Sequence, residues 1–184
     1  MNLEAYKKYF KPSEECHKGK TNPQICKGCG GDCCKSMGCH IAPDDLMSLN
    51  VGDIISFIDE SGCISVDWWE GNPVTNERDG KKYYFLRIKN KNENVIAPSW
   101  GGECSILTDT GCSLSFEYRP KGARELIPDL DNCHQNYTKQ QCAIDWMPYS
   151  DIMEQVYNHY IEIEGEPNVI SDALDNLFGL IGLK

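Results

Sequence analysis

The chain has 184 residues, enough for one domain whose core needs no covalent staples. Eighteen Lys and Arg against 28 Asp and Glu give a formal charge of −10, which argues against nucleic acid and anionic membranes as partners, since both demand a basic face. The N-terminal MNLEAYKKYFKPSEECHKGK is polar and no apolar run reaches membrane-spanning length, so the expected compartment is the cytoplasm.

Leu3, Tyr6 and Phe10 recur at helical spacing and predict a short amphipathic helix over residues 2–10. It leads into CKGCGGDCC, residues 26–34, whose glycines permit turns that bring backbone N–H groups toward the sulfurs or what they hold. Ile41 ends an expected extended piece. Pro43 suits the first turn of a helix continuing through DDLMSLN with Leu46 and Leu49 inward, and Asp44 and Asp45 read as its first-turn residues. A second short helix is expected over DIISFIDE.

The period then changes. GCISVDWW, KKYYFLRI and ENVIAP are rich in β-branched and aromatic residues between turn-formers, the pattern of an antiparallel meander of three or four strands. ECSIL and CSLSF read as two more extended pieces joined by TDTG, with Gly111 at the turn. Thr138 and Gln141 have capping-box spacing for a helix that Pro148 should break or kink. Tyr149, Ile152, Val156 and Tyr160 form a stripe whose plainest meaning is a face packed on the core. EGEPN reads as a linker, and Ser171 caps a last helix, DALDNLFGLIG. The expected fold is α+β: a small antiparallel sheet with short helices and a metal-binding cysteine-rich loop region, in one domain over residues 1–164 followed by a linker and docking helix over 165–184.

Nine of the eleven cysteines fall into three groups: Cys26, Cys29, Cys33, Cys34 and Cys39; Cys104 and Cys112; Cys133 and Cys142. Cys16 and Cys63 stand apart. An odd number of thiols in a reducing compartment points to metal rather than disulfides, which stay open only if an export signal has been removed. The CxxC pair Cys26 and Cys29, with Cys33 close behind, wraps one ion or an iron–sulfur cluster equally well. The adjacent Cys33 and Cys34 diverge, so either one is a bystander or there are two centres. His17, His40 and His134 each lie beside a cysteine and could complete a shell, or are histidines with no such role. The tryptophans Trp68, Trp69, Trp100 and Trp146 read as core packing.

CKGCGGDCC, then GCHIAPDDLMSL, then ECSILTDTGCSLSFEYRPKGARELIP resembles the YkgJ-type cysteine-cluster proteins, a family of zinc- or iron-chelating domains related to the FliB-type flagellin lysine N-methylases. The match covers roughly residues 26–142. The resemblance implies that Cys26, Cys29, Cys33, Cys34, Cys104 and Cys112 are metal ligands. Arg119, Pro120 and Arg124 match the family's last block. Where that block has a further cysteine this chain has Ala123, so Cys133 or Cys142 replaces it or one coordination position is open to water or substrate. Arg119 and Arg124 would offset the charge of the thiolates from behind them, or simply pair with Glu117 or Glu125.

The expected function is a cytosolic protein holding iron, as an iron–sulfur cluster or bare ion, with zinc as the alternative. Two others stay open: a metal-dependent enzyme of methyltransferase or redox type acting on a protein or peptide, and a zinc-stapled scaffold that meets another protein. No glycine fingerprint follows a strand and GKTNPQ lacks phosphate-loop spacing, which leaves the enzyme without a nucleotide pocket.

Overall fold

A helix forms where Leu3, Tyr6 and Phe10 share a face: α1 spans Leu3–Tyr9, and the Asn2 side chain accepts from Ala5 N at 3.1 Å to cap it. Tyr6 and Phe10 are fully buried and stack on each other with ring centroids 4.8 Å apart. The computed structural model describes residues 1–14, 34–35, 38–98, 101–109, 111–127 and 134–167. The loop thiols Cys16, Cys26, Cys29 and Cys33, and also Cys133, His17, Trp100 and the expected last helix, lie outside the described residues.

The architecture is α+β with a small antiparallel sheet. Its strands are β1 (His40–Ile41), β2 (Ile64–Glu70) and β3 (Lys82–Ile88), in the order β1-β3-β2. β2 and β3 pair from Ile64↔Ile88 to Glu70↔Lys82, and β1 pairs on the other edge of β3 with His40 opposite Arg87. Helix α2 (Val51–Ser61) precedes β2, capped by the Asn50 side chain and ended by Gly62 at φ 63°. Beyond the sheet come the small hairpin β4 (Leu107–Thr108) and β5 (Gly111–Cys112), the single turn α3 (Lys121–Arg124), and the pair β6 (Leu126–Ile127) and β7 (His134–Gln135). Helix α4 (Lys139–Trp146) is capped by Thr138 as expected, a 3-10 turn over Met147–Tyr149 contains Pro148, and α5 (Ser150–Glu164) follows.

Alternation along the strands gives the sheet two different faces. On one, Trp68 and Tyr84 meet Tyr157 of α5, the two tyrosine rings stacking at 4.2 Å. Val156 and Tyr160 of the expected stripe are buried there too, and the Tyr160 hydroxyl donates to Asp59 of α2 at 2.6 Å. The other face carries His40, Phe85, Asp67 and Arg87 and is covered by α4, whose Lys139 reaches Asp67 at 2.9 Å and lies over the Phe85 ring. Arg87 and Asp67 are both fully buried, so their charges must be paired in place. The guanidinium donates to Asp67 at 3.2 Å, Ile88 O at 3.1 Å and Ala97 O at 3.0 Å, and pairs with Glu93 at 2.9 Å.

Two expected elements are shorter than the pattern predicts. The helix begun by Pro43 stops after one 3-10 turn, Pro43–Asp45. Asp45 folds its carboxylate back onto Ala42 N at 2.9 Å, its carbonyl accepts from Lys11 N at 2.7 Å, and Leu46 leaves in extended geometry to bridge Phe10. ENVIAP forms one parallel bridge, Ile96 to Val66, instead of a meander strand. The Glu164 carboxylate accepts from Val95 N and Ile96 N at 3.0 Å each, so those donors are spent before a ladder can grow. The third strand comes instead from β1, before the hairpin.

Candidate metal centre

The C-terminal end of β3 is an assembly point for cysteine-bearing segments. Ile88 N donates to Cys39 O at 2.9 Å, Lys89 N to Cys63 O at 2.8 Å, and Asn90 bridges Cys104. Cys104 N in turn donates to Cys34 O at 2.7 Å. Three consecutive residues at the end of β3 therefore gather backbone from the segment just after the glycine-rich motif, the β2 entry and the ECSIL segment. Cys112 joins through the hairpin, where it pairs with Leu107 while Leu107 N donates to Cys104 O at 3.1 Å.

Asn90 fixes this junction by its side chain. Its Oδ1 accepts from Gly38 N at 2.8 Å, and its Nδ2 donates to Glu93 at 2.7 Å, the same carboxylate that pairs with Arg87. A β-carbon at Gly38 would lie 1.8 Å from Ile88 O, so only glycine lets the chain come this close to β3.

The thiols feel one another's charge. Burial pushes the Cys39 thiol well above its ordinary range, and Cys104 and Cys112 push it further. Cys104 is pushed up to about 12, by burial first, with Cys112 and Cys63 adding. The Tyr6 hydroxyl of α1 donates to Tyr118 O at 3.0 Å, and its pKa is raised by burial, then by Cys39, Asp45, Cys63 and Cys112. Cys34, Cys39 and Cys112 are half-buried and Cys63, Cys104 and Cys142 buried. Among the described residues no three His, Cys, Asp or Glu side chains are arranged to hold a metal.

Cys142 is placed differently. It lies on α4, where its thiol donates to Ile41 O at 3.4 Å beside the Trp146 indole, which donates to the same carbonyl at 2.8 Å. Burial raises its pKa strongly, against the hydrogen bond with Tyr137. His40 is fully buried, packs edge-on against Phe85, and has no hydrogen-bond partner at either ring nitrogen. Burial drives its pKa down to about 4, resisted by Asp67 and assisted by Lys139 and Arg87.

The two motif arginines act locally. Arg119 Nε donates to Leu114 O at 3.2 Å, with its guanidinium over the Phe116 ring. Arg124 donates to Asp45 at 3.0 Å and to Arg119 O, so its acidic partner is Asp45 and not the neighbouring Glu117 or Glu125. Asp45 also accepts from Lys121 N at 2.9 Å, and burial still leaves its pKa raised. Asp45, Arg124 and Lys121 thus clamp the RPKGAR turn onto the segment after β1, where Gly122 passes the His40 backbone so closely that a β-carbon would sit 2.8 Å from His40 O.

Sequence reasoning grouped Cys39 with the motif thiols without naming it a ligand, set Cys63 apart, and passed over Asn90. The signal for Cys39 was its glycine neighbour four residues beyond the motif; nothing local marks Asn90, whose partners are 52 residues upstream and 14 downstream. No family model matches the chain, and neither does any curated protein or solved structure.

Proposed function

We propose that this chain is a metal-binding protein that holds iron, as an iron–sulfur cluster or a bare ion, or zinc, through clustered cysteine thiolates. The resemblance to the YkgJ-type proteins supplies the ligand set: Cys26, Cys29, Cys33 and Cys34 with Cys104 and Cys112, and Cys133 or Cys142 in place of the cysteine that Ala123 lacks. The observation that supports the reading is the hydrogen bond from Cys104 N to Cys34 O, which joins two segments of the motif 70 residues apart. The donor type suits the chemistry, since cysteine sulfurs favour soft or borderline metals such as zinc and iron–sulfur clusters. The reading requires a reducing compartment, for which the cytoplasm is the proposal; no helix among the described residues is long and apolar enough to cross a membrane.

Purification without oxygen, followed by metal and acid-labile sulfide analysis per chain and a visible spectrum, tests this directly. A brown cluster, colourless zinc and an empty thiol set give different results. Cys29→Ala and Cys112→Ala should lose the metal and Cys63→Ala should keep it. A folded, metal-free wild-type chain ends the proposal.

A further inference from the structure

We infer that His40 is an acid-sensitive latch for β1: the neutral ring lets the strand lie against the sheet, and the charged ring drives it off while β2 and β3 stay paired. No metal is needed for this. His40 is fully buried on the face covered by α4, edge-on to Phe85 with ring centroids 5.6 Å apart. Among the described residues neither ring nitrogen has a partner, and an unpaired polar group in such a place is costly. A hydrocarbon side chain would fill the site without that penalty. What imidazole offers instead is a charge that switches close to neutral pH.

The surroundings accept the neutral ring and reject the charged one. Asp67 of β2 faces it, but that carboxylate is already taken by Arg87 at 3.2 Å, Lys139 at 2.9 Å and Trp68 N at 2.7 Å. The other charged groups that it meets are cations, Arg87 of β3 and Lys139 of α4. α4 also carries the Cys142 thiol, which is turned to Ile41 O, and α3 brings the Gly122 backbone. A proton on His40 therefore sets a third cation beside two, in a buried site with one carboxylate. Which element yields follows from the ladder. β1 is an edge strand with two residue pairs to β3, whereas β2 and β3 share seven. Beyond the ladder it is tied by single hydrogen bonds, among them Gly38 N to the Asn90 side chain and Trp146 Nε1 to Ile41 O. Moving this edge brings the ring to water and breaks fewer pairings than opening the hairpin does.

The test is amide-resolved hydrogen exchange on the full chain prepared without oxygen, as wild type and His40→Leu, at pH 7 and pH 5, corrected for the chemical effect of pH on exchange. Two neighbouring amides read opposite edges of β3: Ile88 N donates to Cys39 O beside β1, and Lys89 N to Cys63 O at the β2 entry. With a pKa of about 4 closed and about 6.5 open, falling pH favours the open form, and the opening constant at Ile88 should rise about 20-fold from pH 7 to pH 5. Lys89 and the β2–β3 ladder should not follow it. In His40→Leu the rise at Ile88 should be absent. A rise shared by Ile88 and Lys89, the same rise in His40→Leu, or no rise in wild type overturns the latch. Should the variant fail to fold, wild type decides alone: an imidazole resonance that titrates well below pH 6.5, together with opening at Ile88 only, supports it, and an ordinary titration near pH 6.5 overturns it.

Discussion

The buried cation Arg87 provides the sharpest quantitative test of how the fold holds the cysteine junction. Both Arg87 and Asp67 have fully buried side chains, and Arg87 makes contacts to Asp67, Glu93, Ile88 O and Ala97 O. Arg87→Met removes all of them at nearly constant volume. Asp67 keeps Lys139 and Trp68 N, but Glu93 and two carbonyls lose a buried donor. Breaking one side of a buried pair costs about 3–5 kcal/mol, a large share of a typical stability of about 5–15 kcal/mol. For comparison, the pair Lys91–Glu103 is 48% and 44% exposed, and Lys91→Ala should cost about 0–1 kcal/mol. Arg87→Lys keeps the charge but not the fork of donors, so it should fall between wild type and Arg87→Met. Urea unfolding of the metal-free chains, with Asp67→Asn and the double variant, reads these differences; the double variant should lose less than the sum of the singles. If Arg87→Met stays within about 1 kcal/mol of wild type, the buried network does not hold the end of β3 and the reasoning fails.

Gly38→Ala places a methyl 1.8 Å from Ile88 O and should cost about 2–3 kcal/mol while lowering metal content, whereas Gly52→Ala, whose nearest contact is 3.6 Å, should stabilise α2 by about 0.5–1 kcal/mol; thermal melts and metal analysis check both. His40 is held neutral, with Asp67, Arg87 and Lys139 the charged groups facing it. A histidine lowered from 6.5 to about 4 leaves the fold unaffected above pH 6.5 and weakens it as pH falls, by about 3 kcal/mol at pH 4. Metal-free His40→Leu should therefore show a flatter stability curve between pH 6.5 and 4 than metal-free wild type; equal slopes contradict this. Chelation should leave a folded chain that melts lower, because the sheet and the β3 junction are built from protein contacts alone, and stabilisation by a ligand at 100 times its Kd is only about 2.7 kcal/mol. A chelated chain with no cooperative melt would instead indicate a metal-stapled scaffold.

Period and capping made the regular elements legible. The Leu3, Tyr6 and Phe10 spacing, the Thr138 cap, the alternation in ISVDWWE and KYYFLRI, and the Gly111 turn are all local signals, and each element formed where they lie. The failures were contests settled at long range. ENVIAP has strand composition, but the carboxylate of Glu164, nearly 70 residues later, takes two of its donors. DDLMSLN has a helix start, but Asp45 is captured by Lys121 N and Arg124 from the RPKGAR turn. That arginine carries a family-like motif, and no spacing rule could have said that its partner is Asp45. The convergence of Cys39, Cys63 and Cys104 was equally unreadable, because it is set by successive backbone groups at the end of one strand and by the side chain of Asn90.

The raised thiol pKa values explain how an acidic chain can collect so many sulfurs in one place. With a charge of −10 already on the molecule, a group of bare thiolates beside Tyr6 would repel one another and lack water to solvate them. Burial disfavours the thiolate at Cys39 and Cys104 still more than at an ordinary cysteine, so both stay protonated and uncharged at neutral pH. Only a cation can replace those protons at comparable electrostatic cost, because it brings positive charge to the same point. The same burial makes these cysteines poor nucleophiles on their own, and a metal bound to them as proposed would release protons on binding. Thiol oxidoreductase chemistry, which needs a depressed pKa and an exposed sulfur, is the reading least compatible with the surroundings of Cys39 and Cys104.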